Sequence, residues 1–493
     1  MKNLDTPDRN IPLIVDLDGT LCRSDTLHET IVGMLGHGQQ TLFQLPGWLL
    51  QGKAAFKEHL AFHRISDAAS LPYNADVIEQ IQTAKSQGRT ILLVSASHQR
   101  QVDAVANHLD CFDDAVGTGG TLPSQAADEG ATNLGGGNKA RFLIERFGQG
   151  GYDYIGDHKT DLPVWKGARR ALAVSPNGGL ERVAAAQGID LEPVGAASTS
   201  KLSALFRAMR PHQWAKNALI LLPVLTAQDA ALVLPAIVAM ICFCMAASAA
   251  YLINDLIDLA ADRAHPRKRM RPLAAGTLPV SFGLAAAAVL LPSAFGIAAA
   301  VLPGWFALVL VLYVALTFAY SFWLKRKLMI DVIVLAALYT LRIVAGAAAT
   351  GIVLSPWLLT FSMFLFFSLA TIKRQAELED LAQSGGEKTK GRNLLVVDLP
   401  ILRAMSISAA QAAVLVFALY AEDDAVRQQY AQPDLLWGVC PILFFWLGRM
   451  QFLTARGFMH DDPVVFSMRD RISLVSGLLT VVLIVLAAAG VSS

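Results

Sequence analysis

The sequence predicts two unlike folds in series: a soluble α/β domain over residues 1–180, then an all-α membrane domain of nine spans over 206–493. Three observations predict it. Charged, glycine and turn residues are spread through the first 200 or so residues, whereas 214–490 is mostly apolar runs parted by short charged loops. Several short apolar runs of the first part end in carboxylates or hydroxyls, as parallel strands do where their tips face a ligand crevice. In the second part Lys and Arg crowd into alternate loops. The totals of 54% hydrophobic and 16% charged residues therefore average two different materials. The net charge of +1 says little, because the charges are segregated. No nucleic-acid partner is expected.

Met1 to Asn10 carries Lys2, Asp5, Asp8 and Arg9, and the apolar run Ile11 to Val15 is too short for a secretory leader. The first domain is therefore expected in the cytoplasm. Cys22, Cys111, Cys242, Cys244 and Cys440 form no CxxC pair, so no disulfide framework is expected, consistent with a reducing compartment.

The strand at Ile11–Val15 ends in Asp16-Leu17-Asp18-Gly19-Thr20. Two carboxylates two residues apart at a strand tip both face the crevice, Gly19 permits the tight turn, and Thr20 can bond a phosphate. A strand at Thr90–Val94 ends in Ser95. Lys139 heads a helix running to Phe147, where a cation and free N–H groups can hold an anion. A further strand, Tyr152–Ile155, ends in Gly156-Asp157-His158-Lys159-Thr160-Asp161. Residues 26–87 are mostly helical in character. His28, His37, His59 and His63 fall there without metal-ligand spacing; His59 and His63, at i and i+4, read as a surface pair. The segment 181–205, rich in small and polar residues after Gly195, reads as a linker.

The order DxDGT, Ser95, Lys139, GDxxxD resembles the haloacid dehalogenase (HAD) phosphatase superfamily, over residues 11 to about 175. The resemblance implies a HAD-like (Rossmannoid) α/β domain with a helical cap at about 26–87. It implies Asp16 as the nucleophile and Asp18 as acid and base, with Ser95 and Lys139 holding the phosphoryl group. Asp16, Asp18 and Asp157 are then Mg²⁺ ligands supported by Asp161, and hard oxygen donors suit that ion.

Nine apolar cores suffice to cross a bilayer: 214–228, 233–253, 279–299, 304–322, 329–350, 355–372, 400–420, 434–451 and 472–490. Loops 254–276, 323–328, 373–399 and 452–471 hold sixteen Lys and Arg, while the loops on the opposite side hold only Arg427. The positive-inside rule puts the basic loops, and with them the N-terminal domain, on the cytoplasmic side of an inner membrane.

The second span leads into Asn254-Asp255-Leu256-Ile257-Asp258-Leu259-Ala260-Ala261-Asp262-Arg263, followed by Lys268 and Arg271. At 100° per residue, Asp255, Asp258 and Asp262 fall within about 60° of one another. Three carboxylates on one face at a membrane boundary are costly unless cations sit between them. Arg342, inside a span, is a functional candidate for the same reason.

The opening RPxQWxKN, the stretch NDxxDxxxDRxHPxKxxRPL and the nine spans resemble the UbiA superfamily of membrane prenyltransferases, over about 205–490. The resemblance implies that Asn254, Asp255, Asp258 and Asp262 bind Mg²⁺ and a diphosphate, helped by Lys216, Arg263, Lys268 and Arg271. One departure matters. A second acidic motif of DxxxD type is expected of the aromatic prenyltransferases, but here Asp331 is followed by Leu335. The segments YSFWLK…D, LR…AG and KRxAEL are instead similar to the branch that moves phosphoribosyl from phosphoribosyl diphosphate to polyprenyl phosphate. In that branch Lys325, Asp331, Arg342, Lys373 and Arg374 are the expected substrate contacts. The resemblance thus implies a polyprenyl phosphate lipid and a phosphorylated sugar donor as partners, with the HAD domain removing the 5-phosphate of the product. Two other readings stay open: an aromatic (4-hydroxybenzoate-type) polyprenyltransferase with an unrelated phosphatase, and a HAD domain that only senses phosphorylated metabolites. Lipid length and homo-oligomerisation are not legible.

Overall fold

The computed structural model describes residues 11–36, 45–50, 53–119, 134–176, 178–195, 200–227, 229–389, 391–459 and 462–488. The charged stretch Met1–Asn10 and His37, both considered above, lie outside them. The chain divides into two compact units. One joins Met1–Met209 to Tyr251–Ala286; the other joins Arg210–Ala250 to Ala287–Ser493.

The first unit is built on a parallel six-stranded sheet in the order β3-β2-β1-β4-β5-β6. The strands are β1 (Leu13–Val15), β2 (Ile91–His98), β3 (Asp114–Thr118), β4 (Asp153–Gly156), β5 (Arg170–Val174) and β6 (Leu191–Val194). Alternate residues of each strand feed opposite cores. Leu13, Val15, Ile91, Leu93 and Ile155 pack with Val77, Ile81, Val102 and Val105 of helices α4 (Ala75–Ser86) and α5 (Gln99–Leu109). Ile14, Leu92, Val94 and Tyr154 pack with Leu143, Leu162 and Trp165 of α6 (Gly137–Phe147) and α7 (Leu162–Gly167). Burial on both faces explains why these strands read as continuous apolar runs.

Two boundaries differ from expectation. The helical insert is α1 (Thr26–Gly36), α2 (Leu45–Leu50) and α3 (Lys53–His63), with a small core of Met34, Trp48, Phe56 and Leu60. Helix α4 lies outside it: its apolar face belongs to the sheet's core, although composition placed it in the cap. The expected linker also contains structure. Helix α8 (Gly178–Ala186) and edge strand β6 lie largely within it, β6 pairing with β5 from Leu191 to Val194. Four residues are too short for periodicity to register.

His59 and His63 face Trp48, with ring centroids 5.2 and 4.9 Å away, and His63 Nδ1 lies 2.8 Å from the His59 carbonyl. They pack and cap rather than converge on a metal. All five cysteines are free.

After α9 (Lys201–Ala208) the chain is helical. Its main elements are α10 (Leu222–Ala227), α11 (Val233–Ile257), α12 (Leu259–Arg263), α13 (Val280–Val301), α14 (Gly304–Phe322), α15 (Ile330–Thr350), α16 (Pro356–Gln383), α17 (Leu399–Glu422), α18 (Asp424–Arg427), α19 (Val439–Ala455), α20 (Pro463–Ser467) and α21 (Arg471–Ala488). Among the described residues, eight helices are long and apolar enough to cross a membrane, so this is a multi-pass membrane protein. The expected first span, 214–228, is not one of them. It begins as a 3₁₀ helix, Pro211–Leu221, and continues as the six-residue α10. Outward positions on the spans are large and apolar, such as Leu234, Trp305 and Leu478, as lipid contact requires.

Candidate functional site

Three clusters of ionisable side chains stand out. The first forms at the switch point of the sheet, where β1 and β4 are neighbours and the connections run to opposite sides. Asp16 follows β1 and Asp157 follows β4. Carboxylate oxygens of Asp16, Asp157 and Asp161 lie within 4.8 Å of one another. Gly19 (φ +80°) makes the turn, and a Cβ there would lie 2.2 Å from an Asp157 oxygen, so only glycine fits.

Asp161 is held from both sides. It accepts the Asp157 and His158 amides at 3.3 and 3.2 Å, closing the turn that starts at His158, and the Tyr154 hydroxyl at 2.9 Å. Lys139, buried in the first turn of α6, donates to Asp16 at 2.8 Å and to the Tyr154 hydroxyl at 2.9 Å. Asp18 accepts the Thr26 amide at 2.7 Å and the Ser97 hydroxyl at 2.5 Å.

Burial pushes Asp16 up to about 7, against the pull of Lys139, and burial with the charges of Asp16 and Asp161 pushes Asp157 up to about 8. One lysine does not neutralise three carboxylates, two of them buried and Asp157 half-buried. An oxygen-only donor set with surplus negative charge fits a hard divalent cation, the kind expected from the sequence.

Sequence placed Ser95 at the phosphate. The strand does not end at Val94 as expected: β2 continues to His98, Ser95 is buried within it, and its hydroxyl accepts the Ser97 amide at 3.1 Å. The side chain that reaches Asp18 is Ser97, which also bonds Thr26 at 2.9 Å. The period of two along β2 puts residues 95 and 97 on one face, which could have signalled Ser97.

The second cluster lies at the α11–α12 junction. Asp258 sits between the two helices, yet the amides of Asp258 and Asp262 still bond the carbonyls four residues back, at 2.9 and 2.8 Å. The helical register survives, as the spacing predicts. Asp255 and Asp262 are buried and Asp258 is exposed. Arg271 Nη1 reaches Asp255 at 3.1 Å and Asp262 at 2.5 Å, and Lys268 Nζ is 3.9 Å from Asp262. Arg263, expected to grip an anion, does otherwise. It pairs with Glu29 of α1 through two nitrogens, at 3.0 and 2.6 Å, and donates to the carbonyls of Ser70 and Ala274. Nothing in its local sequence reveals a partner 234 positions away.

The third cluster is in the second unit. The RPxQWxKN segment is seated on α11: Trp214 donates to Ser248 at 3.0 Å, and Asn217 lies 3.2 Å from the Cys244 sulfur. Arg342 donates to Asn217 at 2.9 Å and to the Tyr313 hydroxyl at 3.2 Å, and its guanidinium lies over the rings of Tyr313 and Tyr339. Lys216 and Lys373 both donate to Asp462, at 2.7 and 3.0 Å, and Tyr339 donates to it at 2.8 Å. These two lysines hold Asp462 well below the usual carboxylate range, against burial. Three expected residues, Lys216, Arg342 and Lys373, are thus brought together by Asp462 and Tyr339, which sequence reasoning missed. Asp462 is one of three aspartates in a loop with three arginines, so nothing in the sequence marked it out. An apolar cavity of about 350 Å³ adjoins them, lined by Leu219, Ile343, Leu369, Trp446 and Val464 among others.

Asp331 and Arg374 are elsewhere in that unit and occupy each other. Arg374 is fully buried and makes a two-nitrogen pair with Asp331 at 2.6 and 3.1 Å. Tyr320 donates to Asp331 at 2.8 Å, and Glu377 and Arg392 extend the network. Arg374, expected to hold a substrate phosphate, and Asp331, an expected substrate contact, here balance each other's charge. Lys325 is half-buried in the turn between α14 and α15.

The model of the UbiA prenyltransferase family matches residues 218–461. Uncharacterized protein y4nM of Sinorhizobium fredii is 38% identical over 483 residues, 97% of this chain and 91% of that protein, and so spans both halves. Decaprenyl-phosphate phosphoribosyltransferase of Mycolicibacterium smegmatis is 36% identical over 299 residues, 57% of this chain and 92% of that protein. Among solved structures, a UbiA homolog from Archaeoglobus fulgidus bound to GPP and Mg²⁺ matches with a TM-score of 0.44 at 18% identity, covering 59% of this chain and all of that one. With its buried acidic helix end, its helical spans and this similarity to relatives over most of their length, the chain belongs to the UbiA prenyltransferase family, and it carries an α/β domain N-terminal to the matched region.

Proposed function

We propose that this chain transfers a 5-phosphoribosyl group from phosphoribosyl diphosphate to a polyprenyl phosphate, and that its N-terminal domain then removes the 5-phosphate. The observation that carries the reading is the 36% identity to a decaprenyl-phosphate phosphoribosyltransferase. Leu335 where a second acidic motif would end, and Asp331 already paired with Arg374, point the same way. The donor brings a diphosphate while the lipid brings a single phosphate, so one acidic motif and a group of cations is the matching set.

In the transfer, the bond from the ribose anomeric carbon to the diphosphate oxygen breaks, and a lipid phosphate oxygen bonds that carbon. Asn254, Asp255, Asp258 and Asp262 hold the metal-bound diphosphate. Lys216, Arg342 and Lys373 hold the lipid phosphate, with the cavity beside Ile343 and Leu369 taking the first apolar part of its chain. Lys325, Lys268 and Arg271 serve the donor's phosphates. In the hydrolysis, Asp16 attacks phosphorus and Asp18 protonates the departing 5-oxygen. Asp18 then takes a proton from the water that releases inorganic phosphate. Lys139 and Ser95 bind the phosphoryl oxygens, and Asp157 with Asp161 complete the metal site. Mg²⁺ bound at each acidic cluster supplies the positive charge that stabilises the departing diphosphate or the transferring phosphoryl group.

The membrane frame of the proposal has nine crossings. A 3₁₀ helix rises about 2.0 Å per residue and an α-helix about 1.5 Å, so Pro211–Ala227 reaches about 30 Å if collinear, enough for a hydrocarbon core. Nine crossings and the basic loops put both active sites on the cytoplasmic face of the inner membrane. There the tethered domain meets the lipid product at raised effective concentration.

Purified full-length protein, given Mg²⁺, phosphoribosyl diphosphate and polyprenyl phosphate, is expected to form a ribosylated lipid detectable by mass spectrometry. Formation of prenylated 4-hydroxybenzoate from a prenyl diphosphate, with no ribosylated lipid, would replace this reading with the aromatic one.

A further inference from the structure

The pairing of Glu29 with Arg263 has no part in either proposed reaction, yet it ties α1 of the HAD-like domain to the acidic helix end. Both side chains are nearly buried, at 6% and 9% exposure. A second contact accompanies it. Gly276 (φ +70°), in the turn that follows the acidic motif, lies so close to Arg23 and Pro72 that a Cβ there would be 2.7 Å from the Arg23 Cβ. Arg263 also donates to the Ser70 carbonyl. The segment Tyr251–Ala286 is therefore docked on the N-terminal domain at residues 23, 29, 70 and 72.

Arg263 immediately follows Asp262. A guanidinium beside a carboxylate expected to hold a divalent cation competes with that cation. Adjacent helical side chains do not face each other, so it does so by opposing the cation's charge through a poorly screened interior. Glu29 supplies the counter-charge that prevents this.

We propose that Glu29 is a positioning residue for the transferase's acidic motif: it neutralises Arg263 next to Asp262 and so limits the positive charge that a divalent cation meets at Asp255, Asp258 and Asp262, where Arg271 and Lys268 already stand. This inference rests on the reading that those carboxylates bind such a cation. It makes the HAD-like domain a structural part of the transferase metal site as well as an enzyme beside it.

The test reads metal binding rather than turnover. Full-length protein in detergent carries Asp157→Asn to silence the first cluster, and Mn²⁺ binding is followed by the electron paramagnetic resonance signal of the free ion. Glu29→Gln is expected to weaken binding about tenfold, as removal of an outer-shell partner does. Glu29→Gln combined with Arg263→Gln is expected to bind close to the parent's strength, because the competing cation is gone. Arg263→Gln alone is expected to bind at least as tightly as the parent. A purely architectural pair predicts the reverse, with both Arg263 variants as weak as Glu29→Gln or weaker, and that result overturns the proposal. Unchanged binding in Glu29→Gln also overturns it. Asp255→Asn separates the two levels: if it leaves Mn²⁺ binding unchanged, the motif is not the metal site, and the functional reading falls together with this inference.

Discussion

The two acidic clusters of this protein present similar chemistry but are assembled in opposite ways. Asp16, Asp157 and Asp161 come from two strands far apart in sequence and converge to within 4.8 Å, with Lys139 arriving from a third segment. Asp255, Asp258 and Asp262 come from eight consecutive residues of one helical path, and about two turns of it bring them to one face. The first cluster exists only when the sheet is folded. The second exists as soon as its helix does, but its side chains are left to local partners, and Arg271 takes two of them. A tertiary cluster thus fixes its own geometry, whereas a helical one depends on what docks against it.

Substitutions can break that contrast at either end. The largest expected effect is at the tertiary cluster: Asp16→Asn removes the proposed nucleophile and should lower phosphomonoester turnover on the order of 10⁴-fold or more. Asp18→Asn should cost about 10²–10⁴-fold, the usual weight of general acid–base catalysis. Release of inorganic phosphate from a small phosphomonoester measures both. At the helical cluster, Asp262→Asn should abolish ribosylated-lipid formation while leaving that soluble phosphatase assay unchanged. If both activities fall together, the clusters are not separate sites.

Next comes the buried Asp331–Arg374 pair. Arg374→Met leaves Asp331 and Glu377 to share the single, partly exposed Arg392 and should destabilise the protein by about 3–5 kcal/mol. Thermal unfolding in detergent reads this, and adding Asp331→Asn should recover part of the loss. The smallest effect is expected at the cationic cluster. Lys373→Met keeps Lys216 and Arg342, so KM for polyprenyl phosphate should rise about tenfold, the weight of one charge-assisted hydrogen bond.

Much of the fold was readable because its signals are local. The strand tips at Asp16 and Asp157 follow from short apolar runs, and eight spans follow from length and apolarity. The expected first span differs from the other eight in its winding, which was not legible because composition does not distinguish a 3₁₀ helix from an α-helix. Strand β6 was missed because its four residues sit beside a small-residue stretch that reads as linker. Of the site, what was legible was chemistry at motif positions. What was not was pairing: Glu29 with Arg263, Asp462 with Lys216 and Lys373, and Arg374 with Asp331. Each partner lies tens to hundreds of residues away, and a single sequence carries no register between distant segments.

The central claim is that the two clusters act in succession on one lipid. Wild-type and Asp16→Asn proteins, each incubated with Mg²⁺, phosphoribosyl diphosphate and polyprenyl phosphate, test it by mass spectrometry of the extracted lipid. The account predicts polyprenyl-phosphoryl ribose from the wild type, and from Asp16→Asn the same lipid still bearing its 5-phosphate. Identical lipids from the two proteins would contradict it.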